Sequence, residues 1–221
     1  MKIKAVVFDV DGTLVNADER FFHFYGESLE HFGIQAPDRE TYLERKKLGK
    51  LDDVIPKIDG AREKFWLRFI DRYSSGDYDN IGHPYPGVPD ALDRLSTKGY
   101  PMSIVTGRTG APERVVSELE RMGIHHHFHH VLTNNNGVKG MNKAAKLVQS
   151  ARLLGLKPIK CAYIGDWEGD IHGAREAGYG LKISVLTGGE DRDSLIKSNP
   201  DIILDSAADL PVYLERFEKT G

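Results

Sequence analysis

The stretch Lys4-Ala5-Val6-Val7-Phe8-Asp9-Val10-Asp11-Gly12-Thr13 decides the fold of this chain. Its first half is a run of apolar residues, which is typical of a parallel strand covered on both faces. Two aspartates end the run, and buried carboxylates are costly unless they serve chemistry or bind a cation. Gly12 lets the backbone turn away there and approach a ligand closely. The stretch therefore predicts a central strand that carries two acids to the edge of a sheet, where open α/β folds place their active sites.

Short apolar runs and helical patterns alternate through most of the remaining sequence. Strands are predicted at residues 102–105, 130–132, 161–164, 183–186 and 201–204, and helices near 88–98, 112–122, 142–154, 170–177 and 207–218. Alternation of this kind implies a parallel sheet with helices on both faces. We therefore expect an α/β fold with a Rossmann-like, three-layer core.

Residues 16–83 break this alternation. They contain no convincing strand, and their aromatic and apolar residues recur at helical spacing, as at Phe21, Phe24 and Tyr25. Turn-prone segments lie at both ends of the stretch. We therefore expect a small α-helical domain at residues 16–83, inserted into a core domain made of residues 1–15 and 84–221.

Composition narrows the class of protein. The 221 residues fit one domain, or one domain with a sizeable insertion. The formal charge of −3 without a basic stripe argues against nucleic acid as the main partner. The single cysteine, Cys161, cannot form an internal disulfide and is expected in the core. No signal peptide or membrane-spanning segment is seen, so we expect a cytoplasmic location and no membrane partner. The sequence leaves the oligomeric state open between a monomer and a homodimer.

Three charged features are expected to face solvent. These are Lys146, the histidine-rich stretch 125–130 and the run 44–47. The histidines lie before a predicted strand, and we interpret them as an exposed loop without the fixed geometry of a specific zinc site. The run 44–47 is typical of a solvent-exposed helix face. The alternative is that these charges attract an anionic substrate into the cleft.

Four pieces of the sequence resemble the motifs of the haloacid dehalogenase superfamily, whose commonest members are magnesium-dependent phosphatases. Residues 9–13 look like its first motif, DxDGT, and Thr106 looks like its second, a Ser or Thr at the end of a strand. A lysine after the second motif is the third piece, and residues 165–170 look like GDxxxD. The pieces occur in the family's order, each at a predicted strand end or at the start of the following helix.

The resemblance implies a role for each matching residue. Asp9 is the expected nucleophile, which forms an aspartyl phosphate, and Asp11 the general acid and base. Thr13 is expected to hydrogen-bond Asp9 or to orient Asp11, beside the substrate. The Thr106 hydroxyl and the Gly107 amide are expected to hold phosphate oxygens.

Several cationic residues are expected near the substrate phosphate. Arg108 is a candidate for substrate contact, although a solvent-facing side chain is the favoured interpretation. For the lysine that offsets the charge of the phosphate and the nucleophile, we prefer Lys143, which opens a helix behind the natural N-cap Asn142. Lys139 stays open as the second candidate; it fits relatives with a Lys-Pro motif, but this sequence lacks the proline.

The expected cofactor is Mg²⁺, a hard cation that takes oxygen ligands and retains waters. Asp9 and Asp166 would bind it through their carboxylates, and Asp11 through its main-chain carbonyl. Asp170 would bind through water, or would hold Lys143 or Asp166 in place.

The function implied is hydrolysis of a small phosphomonoester, with the helical domain acting as a cap over the site. The segment Pro84-Tyr85-Pro86-Gly87-Val88 resembles phosphoglycolate phosphatases and their near relatives. Dehalogenases and phosphonate-cleaving relatives lack the second acid of the first motif, so Asp11 argues against both. A phosphomutase shares all four motifs and stays open. A non-catalytic binding protein on the same fold is the other alternative, although loss of Asp9, Asp11 or the lysine would be its expected mark.

Overall fold

Strands and helices alternate along the described part of the chain. The computed structural model describes residues 2–75, 77, 80–135 and 142–220. The strands are β1 Ala5–Phe8, β2 Val15–Asn16, β3 His83–Pro84, β4 Met102–Val105, β5 Phe128–Leu132, β6 Cys161–Gly165, β7 Leu181–Val185 and β8 Ile202–Leu204. The helices are α1 Asp18–His31, α2 Arg39–Lys47, α3 Ala61–Tyr73, α4 Val88–Thr97, α5 Pro112–Arg121, α6 Lys143–Leu153, α7 Glu168–Glu176, α8 Arg192–Lys197 and α9 Leu210–Thr220.

A six-stranded sheet forms the centre of the molecule. Its strand order is β5-β4-β1-β6-β7-β8, and the neighbouring strands pair in parallel. The first strand of the chain therefore lies inside the sheet, between β4 and β6. This position explains why its sequence is a continuous apolar run, because both of its faces and both of its edges are covered.

Helices cover both faces of the sheet. In β1, Val6 and Phe8 join one apolar cluster, whereas Ala5 and Val7 join another on the opposite face, as strand geometry requires. The first cluster takes side chains from α4, α5 and α9, and the second from α6 and α7. The predicted α/β class and the three-layer core are confirmed.

The helices α1, α2 and α3 form a helical insert, residues 17–82, with an apolar cluster of their own. Phe24, Tyr25, Tyr42 and Phe65 are buried in that cluster and belong to neither cluster of the sheet. The chain enters and leaves the insert through β2 and β3, which pair antiparallel. The short ribbon lies at the boundaries expected from the sequence, and the division of the chain into a core domain and a cap domain stays a prediction.

The histidine-rich stretch differs from the expected exposed loop. Residues 125–127 form a 3₁₀ turn in which His127 is buried, and His129 and His130 belong to β5. The expectation is wrong because β5 is an edge strand of the sheet, and an edge strand with one unpaired side tolerates polar residues better than an inner strand.

The burial of the single cysteine and the character of the helices bear on two expectations drawn from the composition. Cys161 is buried at the start of β6, and burial raises the pKa of its thiol to about 11. Among the described residues, none of the helices combines the length and the apolar character needed to cross a membrane.

Candidate active site

The carboxyl ends of three adjacent strands bring remote residues together. Asp9 follows β1, Thr106 follows β4 and Asp166 follows β6. Backbone hydrogen bonds continue the sheet into these loops, because the Asp9 amide donates to the Ile164 carbonyl at 2.9 Å and the Thr106 amide to the Leu132 carbonyl at 2.9 Å. Since parallel strands end at one edge, residues far apart in sequence share one site.

Lys143 forms an ion pair with Asp9. Its Nζ lies 2.9 Å from Asp9 Oδ1 and 2.6 Å from Asp170 Oδ1, and only 19% of its side chain is exposed. Lys143 opens α6, where the Asn142 side chain accepts a hydrogen bond from the Ala145 amide at 2.8 Å and caps the helix. The cap fixes the first turn of the helix, and with it the lysine. The alternative candidate, Lys139, lies outside the described residues.

The charges of these groups depend on one another. Burial raises the pKa of Asp9 to about 7, although Lys143 opposes this effect. Burial alone would lower the pKa of Lys143, but Asp170 and Asp9 outweigh it and hold that pKa above its usual value. The lysine therefore stays charged beside a carboxylate that is costly to ionise without it.

Asp170 is held by donors on all sides. Besides Lys143, the Tyr163 hydroxyl donates to Oδ1 at 3.0 Å, and the Asp166 and Trp167 amides donate to Oδ2 at 3.1 and 3.2 Å. Two carboxylate oxygens offer about four acceptor positions, so these donors occupy Asp170 fully. This arrangement fits the expected role of holding Lys143 in place better than direct contact with a cation.

The carboxylates at this edge suit a hard divalent cation. Asp9, Asp166 and Asp170 each offer an oxygen, and these oxygens lie within 4.8 Å of one another. The backbone leaves room for the Asp166 carboxylate only because Gly12 and Gly188 face it; a Cβ at either position would overlap that carboxylate. Burial, together with the charges of Asp170 and Asp9, raises the pKa of Asp166 well above its usual value. A cation would relieve this repulsion, and an all-oxygen donor set is the one that Mg²⁺ prefers.

Thr13 contacts a different acid from the one expected. Its Oγ1 donates to Asp166 Oδ1 at 3.3 Å, rather than to Asp9 or Asp11. The turn after β1 folds Thr13 back beneath the β6 loop, where its side chain is buried. Its contact with substrate stays a prediction.

The Asp11 carboxylate turns away from this cluster and binds two arginines. Arg20 Nη2 lies 2.6 Å from Asp11 Oδ1, and Arg108 donates from Nε to Oδ2 at 2.7 Å and from Nη2 to Oδ1 at 2.6 Å. Tyr73 of α3 also hydrogen-bonds Asp11. Burial alone would raise the pKa of Asp11, but Arg108 and Arg20 outweigh it and hold that pKa well below its usual value. The expected metal contact of Asp11, through its main-chain carbonyl, stays a prediction.

The same two arginines share a second carboxylate. Glu118 of α5 is bound by Arg20 Nη1 at 3.2 Å and by Arg108 Nη1, and its side chain is 1% exposed. The favoured interpretation of Arg108 as solvent-facing is therefore wrong, because the guanidinium is buried between two acids. The insert and the core are thus joined by a buried group of four charges, made of Asp11, Arg20, Arg108 and Glu118.

Thr106 sits above a buried lysine. Lys146 Nζ donates to the Thr106 carbonyl at 2.5 Å and to the Asn134 side chain. The expectation that Lys146 is solvated is wrong, since the residue lies one turn after Lys143 on the face of α6 that covers the sheet. Burial and the charge of Lys143 lower the pKa of Lys146 to about 8. The Thr106 hydroxyl is buried, and Gly107 lies exposed beside it, so their expected contact with phosphate oxygens stays a prediction.

Sequence reasoning missed Arg20, Glu118 and Tyr73. The signal for the first two was present, because each is a charged residue on the apolar face of an amphipathic helix. Arg20 precedes the buried Phe24 by one turn, and Glu118 lies beside the buried Leu119 and one turn after Val115. A charge at such a position indicates a buried partner, although it does not say which one.

Comparisons with known proteins find similar sequences and a similar fold. The chain is 29% identical to "Pyrophosphatase PpaX" of Bacillus mycoides over 98% of this chain and 99% of that protein. It is 29% identical to a phosphoglycolate phosphatase of Chromobacterium violaceum over 94% of this chain and 95% of that protein. The solved structure of a haloacid dehalogenase-like family hydrolase from Streptococcus pneumoniae has the same fold, with a TM-score of 0.74, 24% identity and coverage of 96% of this chain and 98% of that one.

The family match covers most of the residues described above. The model of the haloacid dehalogenase-like hydrolase family matches residues 6–182, which include the loops after β1, β4 and β6 and the start of α6. The match therefore spans most of the chain, including the segments that carry Asp9, Lys143 and Asp166. On this evidence the chain belongs to the haloacid dehalogenase-like hydrolase family.

Proposed function

We propose that this protein is a magnesium-dependent phosphatase that hydrolyses a small phosphomonoester through an aspartyl phosphate on Asp9. The observation that carries the proposal is the buried Asp9 carboxylate, paired with Lys143 at 2.9 Å and close to the Asp166 carboxylate. A nucleophile for phosphoryl transfer needs this setting, because it must approach an anionic phosphate and positive charge must offset the repulsion.

The first half of the reaction moves the phosphoryl group to the enzyme. An Asp9 carboxylate oxygen attacks phosphorus and the bond from phosphorus to the leaving oxygen breaks. Asp11, which must first leave the arginines and take up a proton from solvent, gives that proton to the leaving oxygen. Lys143 lowers the charge around the transferring group. The Thr106 hydroxyl and the Gly107 amide hold the phosphate oxygens that do not react.

The second half returns the enzyme to its starting state. Water attacks the phosphorus of the aspartyl phosphate, Asp11 accepts the proton that the water loses, and the bond between phosphorus and the Asp9 oxygen breaks. Inorganic phosphate and the free carboxylate result. Because Asp11 is bound by two arginines in the structure, its action as acid and base requires its carboxylate to change partners.

Asp9 and Asp166 would hold Mg²⁺ through their carboxylates, together with the main-chain carbonyl of Asp11. The ion, when bound, offsets the negative charge of the substrate phosphate. Asp170 would keep Lys143 in position beside the site. The donor set and the crowding of carboxylates around Asp166 support this assignment.

The relatives and the insert support the proposed substrate class. Relatives of similar length are named for activity on pyrophosphate and on phosphoglycolate, both of which are small. The helical insert supplies Arg20 and Tyr73 to the Asp11 side of the site, which supports its role as a cap, residues 16–83, that contacts the leaving group.

Release of free phosphate from a panel of metabolite phosphates, with and without Mg²⁺, tests the proposal. The wild type should release phosphate only with Mg²⁺, and Asp9→Asn should lower kcat by at least about a thousandfold because it removes the nucleophile. Asp205→Asn is the matched control, since the Asp205 side chain is 85% exposed and contacts Arg192 on the surface at 3.3 Å. Full activity of Asp9→Asn would refute the assignment. A phosphomutase would rearrange its substrate and leave the phosphate on the organic product.

A further inference from the structure

Two arginines from different parts of the chain form a cradle around the Asp11 carboxylate. Arg20 comes from the start of α1, in the insert, and Arg108 from the loop after β4, in the core. Arg108 binds both carboxylate oxygens, at 2.7 and 2.6 Å, and Arg20 binds one of them at 2.6 Å. A guanidinium fork of this kind matches the two oxygens of a planar carboxylate or of a phosphate. We call Arg20 and Arg108 the arginine cradle.

The two acids that balance the arginine cradle are not equivalent. Glu118 is 1% exposed and is fixed in the interior between α1 and the β4 loop. The Asp11 side chain is 22% exposed and lies on the open side of the cradle. An anion from solution could therefore take the place of the Asp11 carboxylate, whereas the place of Glu118 is closed.

The proposed reaction takes Asp11 out of the arginine cradle. Three contacts from the arginines and one from Tyr73 take up its roughly four acceptor positions, so the carboxylate must give up some of these partners to exchange a proton with the leaving oxygen. When the carboxylate turns to the leaving group, the two guanidinium groups keep Glu118 as the carboxylate that they share. An excess of buried positive charge is costly, so a second anion is favoured in the vacated place.

We propose that the arginine cradle binds a second anionic group of the substrate, a carboxylate or a phosphate carried by the leaving group. This inference rests on the proposed function, because it requires the reacting phosphate at Asp9. Asp11 lies two residues from Asp9 in the same loop, so a short leaving group can join the two positions. Arg20 and Arg108 are then the residues that select small substrates with an anionic remainder over neutral ones.

Two substrates that differ in one group test this selection. The probes are 2-phosphoglycolate, whose remainder carries a carboxylate, and 2-hydroxyethyl phosphate, which has a hydroxyl in its place. In the wild type, kcat/KM for the first should exceed that for the second by about 10- to 100-fold, the range expected for one charge-assisted contact.

Variants of the arginine cradle should lower this ratio. We expect Arg20→Gln and Arg108→Gln each to reduce it by at least about tenfold, and Arg20→Lys to give an intermediate ratio because lysine keeps the charge but not the fork. The ratio is read on one preparation, so an inactive fraction scales both rates equally and does not change it. Arg62→Gln is the control, since Arg62 is a surface residue of the insert that pairs with Asp52 and should leave the ratio at its wild-type value.

The outcomes separate this inference from the proposed function. A wild type that hydrolyses both probes equally well would overturn the inference and leave the phosphatase assignment standing. Equal losses on both probes in Arg20→Gln and Arg108→Gln would also overturn it, because the arginines would then only position Asp11. A wild type that releases phosphate from no member of the panel would overturn both.

Discussion

Replacement of Glu118 by Gln removes one charge from the buried group that joins the insert to the core. The Glu118 side chain contacts Arg20 and Arg108 and is 1% exposed. Glutamine keeps the size of the side chain and one oxygen acceptor, but it carries no charge. Two buried guanidinium groups would then share a single carboxylate, that of Asp11.

The expected loss follows from the contacts of Glu118. Arg20 Nη1 lies 3.2 Å from both of its oxygens, and Arg108 Nη1 contacts one of them. A pair of unit charges about 4 Å apart attracts by about 4 kcal/mol at an effective dielectric constant of about 20. Desolvation offsets part of this attraction, and loss of one partner from a buried pair costs about 3–5 kcal/mol. For a chain of this length, the melting temperature should fall by about 6–20 °C.

Thermal and urea unfolding of Glu118→Gln measure this loss directly. The matched control is Glu215→Gln, because Glu215 also contacts two cations, Arg94 and Lys98, but on the surface. Solvent screens these surface contacts, so the control should have the same melting temperature as the wild type. The reasoning would be refuted if Glu118→Gln were as stable as the wild type, or if both variants lost the same stability.

Other perturbations have equally definite outcomes. Burial and His129 lower the pKa of His130 from 6.5 to about 4, so the neutral ring supports the fold fully above pH 6.5 and this support is lost as the pH falls towards 4. In urea titrations, His130→Gln should therefore lessen the acid-induced loss of stability by about 1–2 kcal/mol after allowance for the half-buried ring, and an unchanged pH profile would contradict this. Gly12→Ala places a Cβ against Asp166 at a positive φ, so the Mg²⁺ affinity measured by calorimetry should fall at least about tenfold. If the variant bound Mg²⁺ as tightly as the wild type, the turn at Gly12 would not shape the metal site. Lys143→Met removes the cation beside the nucleophile, so kcat for phosphate release should fall about 100- to 1,000-fold, and a wild-type rate would dismiss the role of the lysine.

The central sheet could be predicted because strands covered on both faces leave continuous apolar runs. The expected strand 102–105 coincides with β4, which lies inside the sheet. At the β5 edge the same rule finds only part of the strand: the sequence predicts 130–132 where β5 spans Phe128–Leu132, because His129 faces water. The helix α8 escapes prediction since Arg192–Lys197 has too few turns to show a periodic pattern.

The site could be predicted in part for a topological reason. Parallel strands end at one edge, so acids that follow β1 and β6 must approach each other wherever they stand in the sequence. The contacts of Asp11 had no such rule behind them. They depend on how the insert lies against the core. The residues that flank Arg20 and Glu118 in the sequence do not indicate their partners. Periodicity shows only that each has a buried position.

The buried thiol of Cys161 has a practical consequence. It lies at the start of β6, between β1 and β7, and its pKa of about 11 leaves almost no thiolate at neutral pH. A maleimide can therefore modify it only in molecules whose central strands have separated. The rate at which Cys161 is labelled therefore reports how often the central strands separate in the native protein.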